Sequence, residues 1–388
     1  MKILYFYPEN PLNKTQGNNV RALALLEYFR TRNIAVDFVS IESNDFTENE
    51  LNKIKSEKLA HNTYLLPKFI RKKNQIKYFF YYSLPNNLKL KIGLFDRTRL
   101  KHIESFNSIL KANEYDVIII SYIYWSKLVR KSPNLKNAKL MIDTHDFLTS
   151  QVQKKKHFQL GRFFQKEVEI LNTFDKILAI SPEEKYLFSQ FINKEIALAT
   201  HALPSKNDTR TEPEYDLIYV ASDNEHNIKA VNWFFNKVYP LLSKSIKIVV
   251  IGKICRHIGE FDNVEKISFV EDLDTFYRQS KVAICPMLSG TGVKIKVIEA
   301  LSFGIPTVCN ERGVDGLLNK TNNGCLVSND PNEFAHYIDK LLTNAFFYTA
   351  ISSEATSFFN NYLSLEANYK LFDKVFELKS VNSLKNSL

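Results

Sequence analysis

The run Gly290-Thr291-Gly292-Val293-Lys294-Ile295-Lys296-Val297-Ile298-Glu299-Ala300-Leu301-Ser302-Phe303-Gly304-Ile305-Pro306-Thr307-Val308 decides how this chain is read. It is a glycine-bearing loop, a short helix, a glycine stop and a buried strand. A loop that opens a helix presents backbone N–H groups with no intrahelical acceptor, together with the positive end of the helix dipole, and so suits an anion. Lys296 and Glu299 stand three residues apart and share one helix face. One can meet a phosphate while the other accepts hydrogen bonds from hydroxyls, which is the chemistry of holding a nucleotide. The local pattern leaves a plainer alternative open, because Gly-x-Gly often precedes a helix and a Lys beside a Glu is often only a solvated pair.

Outward from that run, short β-branched strands recur at Tyr215–Ala221, Ile246–Ile251, Lys266–Val270, Lys281–Pro286 and Ile305–Cys309. Helical patterns lie between them, among them Asn227–Leu242. An earlier series reads the same way: Lys2–Tyr7, Ala35–Ile41, Asp116–Ser121, Lys139–Asp143, Lys176–Ile180 and Ile196–Thr200, with a helix over Asn19–Thr31. Ser181-Pro182-Glu183-Glu184 supplies a helix start, with Ser as N-cap, Pro at the first position and Glu at the third. Apolar strands alternating with helices indicate parallel sheets covered on both faces. Leu203–Glu214 has no apolar period and carries Pro204 and Pro213, so it reads as a linker. The expected fold class is α/β with two facing Rossmann-like domains, residues 1–204 and 215–360, followed by terminal helices over 361–388. Ligands of such sheets sit beyond the carboxyl ends of the strands.

The opening run resembles the donor-site motif of retaining glycosyltransferases of family 4 with the GT-B fold, in particular the bacterial branch reading Gly-x-Gly-x-Lys-x-Lys-Val-x-Glu-Ala. The resemblance implies that Glu299 binds the nucleotide ribose and that a C-terminal helix crosses back to the first domain. A first glutamate common in the family is replaced here by Thr291. Gly17-Asn18-Asn19-Val20-Arg21 resembles the family's N-terminal loop facing the donor diphosphate, with Gly17 allowing close approach and Arg21 reaching an anion. Asp143-Thr144-His145-Asp146 resembles the Asp-Thr-His-Asp of the same branch, with His145 at the donor sugar or acceptor hydroxyl. Asp146 then orients the imidazole or assists proton removal, and Asp143 is structural. Asn227 matches an asparagine expected to cap the helix after the first strand of the nucleotide domain. The Arg and Lys that relatives carry nearby are missing, which leaves Lys294 and Lys296 to supply that charge. Phe269–Leu273 and Ala283–Leu288 resemble the segments that cradle the base.

Composition agrees with a globular chain: 388 residues, 45% hydrophobic and 24% charged, too long for one ordinary core. The net charge of +10 is concentrated. Leu51 to Lys101 holds thirteen Lys or Arg against Glu57 and Asp96, a balance of +11. That segment interleaves cations with rings, as in Lys77-Tyr78-Phe79-Phe80-Tyr81-Tyr82, and suits an anionic membrane surface. The alternative is that those rings pack inside the first domain. No nucleic-acid module accompanies the charge. Cys255, Cys285, Cys309 and Cys325 lack metal-ligand spacing, so no metal is expected, and a reduced, cytoplasmic setting with possible peripheral attachment to the inner face of the membrane is.

The resemblance implies a retaining, metal-independent transfer of a sugar from a nucleotide-diphosphate sugar, with no separate cofactor. The acceptor would be a saccharide or a lipid-linked sugar. Gly292, Val293, Lys294 and Lys296 would hold the leaving diphosphate. The rival readings are a catalytically silent nucleotide-sugar-binding subunit, which Thr291 keeps open, and an epimerase, whose motifs are lacking.

Overall fold

The structure, a computed structural model, describes residues 1–13, 17–68, 75–84, 95–130, 132–154, 156–206, 212–290 and 292–378. The chain divides into two compact units, Met1–Ala199 and Thr200–Leu388.

In the first unit the described residues form a seven-stranded sheet. Its strands are β1 (Lys2–Phe6), β2 (Ala35–Ile41), β3 (Asn62–Leu66), β4 (Val117–Ser121), β5 (Lys139–Asp143), β6 (Lys176–Ala179) and β7 (Glu195–Leu198). Their order is β3-β2-β1-β4-β5-β6-β7, with every neighbouring pair parallel. Four of the five residues of β1 and all of β4 are buried, as strands covered on both faces require. The order reverses between β1 and β4, which opens a crevice at their carboxyl ends.

The second unit repeats the plan with β8 (Tyr215–Val220), β9 (Ile248–Ile251), β10 (Val264–Ile267), β11 (Ser280–Cys285), β12 (Thr307–Cys309) and β13 (Cys325–Val327). The order is β10-β9-β8-β11-β12-β13, again parallel, and the reversal lies between β8 and β11. All four cysteines are free and buried. Helices Ala345–Tyr362 and Leu365–Val375 close the chain, and Asn368 ties the last one to the Thr200 carbonyl at 3.1 Å.

Several boundaries differ from the sequence reading. β3 and the helix Glu48–Ser56 lie in the segment that showed only charge; the helix carries a complete capping box between Thr47 and Glu50. The expected strand Lys266–Val270 runs instead over Val264–Ile267. The expected helix Asn227–Leu242 begins at Glu225, is α-helical to Trp233, widens to a π turn over Phe234–Val238 and ends in a 3₁₀ turn at Leu241. The start of the expected linker is anchored: Leu203 bridges to Ser364, Lys206 N–H donates to the Ser302 carbonyl at 2.8 Å, and Lys206 Nζ reaches both Asp274 oxygens at 2.6 Å.

Candidate active site

Each unit gathers its predicted residues at its own sheet reversal. In the second unit the loop before the helix Ile295–Ser302 turns through Gly290 (φ +100°) and Gly292 (φ +79°). Both angles lie in the region that favours glycine. At the start of this loop Ser289 Oγ lies 2.8 Å from His226 Nδ1. Thr291 falls outside the described residues. No side chain caps the helix, whose N-cap residue is Lys294, so its first N–H groups and its dipole are directed outward from the loop.

The two lysines behave differently. Lys294 is buried and turns back on its own loop, with Nζ donating to the Gly292 carbonyl at 2.6 Å. Lys296 Nζ lies 5.4 Å from the centroid of the Tyr219 ring and donates to Asn227 Oδ1 at 3.0 Å. Burial lowers the pKa of both ammonium groups. Lys296 makes no ion pair among the described residues; its charge is desolvated, with a neutral amide and a ring face in contact and only the longer-range field of Glu299 opposing the cost of burial. Such a cation gains strongly from an incoming anion.

Glu299 stands on the same helix face. Its Oε2 accepts from Tyr277 Oη at 3.3 Å, and burial raises its pKa against the smaller opposing effects of Tyr277, Lys206 and Lys296. Asn227 is not the cap the sequence suggested. Asn224 fills that position, accepting the Asn227 N–H at 2.9 Å. Asn227 instead donates to the Ser222 carbonyl at 3.0 Å and presents its Oδ1 to Lys296, so it positions the lysine.

In the first unit Gly17 opens the helix Gly17–Thr31. Arg21, read from the sequence as reaching an external anion, is buried and committed to Asp143. Its Nη2 donates to Asp143 Oδ1 at 2.6 Å, its Nε lies 3.1 Å from both carboxylate oxygens, and its Nη1 donates to the Ala199 carbonyl. Although burial alone would raise it, the Asp143 pKa is held well below the usual carboxylate range by Arg21 and His145. His145 Nε2 lies 3.1 Å from Asp143 Oδ2, within ion-pairing distance but outside hydrogen-bond alignment. The carboxylate within ion-pairing distance of the imidazole is therefore Asp143, a correction to the reading in which Asp146 orients that ring. Strand geometry explains it: Asp143 ends β5 with its side chain turned inward, while Asp146 lies beyond the turn and lines an open cavity.

His145 is buried, and its ring stacks on Tyr122 at 4.2 Å and 17°. Both residues hold positive φ, +59° and +66°. A non-glycine residue there is strained, and two stacked on each other must be over-determined by their surroundings. Two buried glutamates that the sequence did not assign to the site supply part of that constraint. Glu184 accepts the Phe147 N–H at 3.1 Å and lies 3.4 Å from Thr144 Oγ1; Glu167 accepts the N–H groups of Leu148 and Thr149 at 2.8 and 2.7 Å. Ser181 caps the helix Pro182–Ser189 as expected, but the side chain of its Glu184 is diverted to the Asp143–Asp146 loop. Burial pushes Glu184 up to about 8.

Residues 214–344 match the family model described as glycosyl transferases group 1. The chain is similar to a Klebsiella pneumoniae protein described as an uncharacterized 44.6 kDa protein in the cps region, with 24% identity and coverage of 97% of this chain and 99% of that one. Among solved structures it is similar to sucrose-phosphate synthase of Thermosynechococcus elongatus, with a TM-score of 0.67, 15% identity and coverage of 97% and 98%. It is likewise similar to Anabaena HepE in complex with UDP and glucose, with a TM-score of 0.68, 13% identity and coverage of 97% and 99%. The two parallel-sheet units have the GT-B architecture of these structures, and the second unit carries the match to glycosyl transferases group 1.

Proposed function

We propose that the protein is a retaining, metal-independent glycosyltransferase that moves a sugar from a UDP-sugar to a saccharide or lipid-linked acceptor. The observation that carries this reading is Lys296, a desolvated ammonium without a carboxylate partner among the described residues, set three residues from Glu299 at an uncapped helix start. Similarity to a protein solved with UDP and glucose supports uridine as the base. Glu299 holds the ribose hydroxyls; Lys296 and the N–H groups of Gly292 and Val293 receive the diphosphate. As the bond from the anomeric carbon to the phosphate oxygen breaks, its electron pair passes to that oxygen, and the growing charge is stabilised by groups already in place. The acceptor hydroxyl attacks the same face and gives its proton to the departing phosphate. In the first unit, His145 contacts the sugar or the acceptor, held against Asp143 and Tyr122.

The setting proposed is cytoplasmic, with reversible attachment to an anionic membrane surface. No helix among the described residues is long and apolar enough to cross a membrane. The exposure of Ile76 (75%), Phe79 (49%) and Phe80 (56%) supports surface attachment. Lys68 and Lys77 belong to this segment, whereas Arg71, Lys72 and Lys73 fall outside the described residues. The test of function is release of sugar from a panel of UDP-sugars, with water or saccharide as acceptor. Tight UDP binding with no release from any donor would reject the transferase reading.

A further inference from the structure

The first unit contains a cavity of about 660 Å³. The segments that follow β1, β2, β3, β4 and β5 line it, together with the lead-in to the helix Leu100–Ala112. Its charge is divided by element. Glu9 and Glu42 come from beyond β1 and β2 and Asp146 from beyond β5, while Arg97 and Arg99 come from the lead-in and Lys68 from beyond β3. Tyr122 and Tyr124 add ring faces. Carboxylates accept hydrogen bonds from hydroxyls and rings cover apolar sugar faces, so this much suits any saccharide.

The arginines ask for more. The Arg97 guanidinium lies 4.0 Å from the centroid of the Tyr124 ring, and its main-chain N–H donates to the Tyr124 carbonyl at 3.0 Å. That contact and the main-chain bond hold the exposed guanidinium beside the ring at the wall of the cavity. It pairs with no carboxylate among the described residues. The adjacent Asp96 is engaged by Thr98 Oγ1 at 2.5 Å and by Lys127 at 3.4 Å. Arg99 is the N-cap residue of Leu100–Ala112, which no side chain caps, so the positive end of a 13-residue helix opens at the same wall. A preorganised guanidinium on a ring, beside an uncapped helix end, matches a planar or tetrahedral oxyanion.

We infer that this cavity is the acceptor site and that its acceptor is a saccharide bearing an anionic group, a carboxylate or a phosphate, received by Arg97 with Arg99. Calling the ligand an acceptor rests on the transferase reading; its binding does not. The test is calorimetric titration of the full chain with methyl glucuronide, methyl glucoside and a methyl hexoside phosphate. At least one anionic ligand should bind about 10- to 100-fold more tightly than the glucoside, the worth of a charge-assisted hydrogen bond. Whichever anion wins identifies the group. Arg97→Gln should bring the anionic ligands down to the glucoside's level with the thermal midpoint unchanged, and Arg97→Lys should restore part of the preference. Equal binding of all three, an undiminished preference in Arg97→Gln, or no binding by any at tens of millimolar would overturn the inference. If an Arg97-dependent preference persists while no UDP-sugar releases sugar, the transferase reading falls and the anion site stands.

Discussion

Glu299→Gln keeps the shape of the side chain and removes its charge, and the structure sets what should follow. Oε2 receives Tyr277 Oη at 3.3 Å, while Oε1 takes no hydrogen bond among the described residues and is available to a pair of ribose hydroxyls. Hydrogen bonds to a charged acceptor contribute about 1.5–3 kcal/mol, so UDP affinity should fall about 10- to 100-fold. Stability should move the other way or not at all. Burial already raises the Glu299 pKa, so the native state bears a desolvation cost for this carboxylate that the amide relieves. Calorimetry with UDP and with its dideoxyribose analogue completes a double-mutant cycle. Losing the hydroxyls and losing the charge should not add, because both remove one interaction. Full additivity, or unchanged UDP affinity in a folded variant, would remove Glu299 from the ribose.

Lys296→Ala should lower turnover about 100- to 1000-fold, the usual effect of removing one preorganised donor to a developing oxyanion, with Lys294→Ala milder because its ammonium serves the Gly292 carbonyl; donor turnover by each variant decides the order. His145→Ala should abolish transfer and leave UDP affinity unchanged, since the uridine-binding groups proposed belong to the second unit; wild-type transfer would exclude it. Glu184 titrates from 4.5 in the unfolded chain to about 8 in the folded one. Its contribution to stability is therefore complete below pH 4.5 and lost as pH rises to 8, by at most about 1.4 kcal/mol per pH unit. Denaturant titrations of Glu184→Gln should show that slope flattened. Asp143, with its pKa lowered, acts oppositely and loses its contribution as pH falls below 3.8. Vesicles of anionic lipid should co-sediment the protein at low salt and release it at high salt, with about 1 kcal/mol from each engaged cation; no sedimentation at low salt would refute attachment.

The alternation of apolar strands and helices was enough to read two parallel sheets and most of their strands, because buried strands such as Val117–Ser121 are continuous apolar runs. Asn62–Leu66 escaped because it is a half-exposed edge strand among lysines, and Cys325–Val327 because three residues carry no period. The candidate loop and helix from Gly290 to Glu299 were legible for the opposite reason: they are one local segment whose chemistry depends only on spacing. The first unit's site was not, because its partners are remote. Arg21 meets Asp143 across 122 positions, and Glu184 reaches Phe147 from a helix whose own sequence fully explained it as a cap. Nothing in the order of residues distinguishes Asp143 from Asp146 as the neighbour of His145; the end of β5 does.

The bond from Arg21 to the Ala199 carbonyl bears on how this protein can be dissected. Ala199 is the final residue of the first unit, and the guanidinium that grips its carbonyl also fixes Asp143 and, through it, His145. A fragment ending even one residue earlier would leave a buried guanidinium N–H with no acceptor, a cost of about 1–3 kcal/mol. The damage would fall on the Asp143–Asp146 loop, far from the cut in sequence. An excised first unit therefore has to keep Ala199, and a library of C-terminal truncations should show an abrupt loss of thermal stability at that position and not a gradual one.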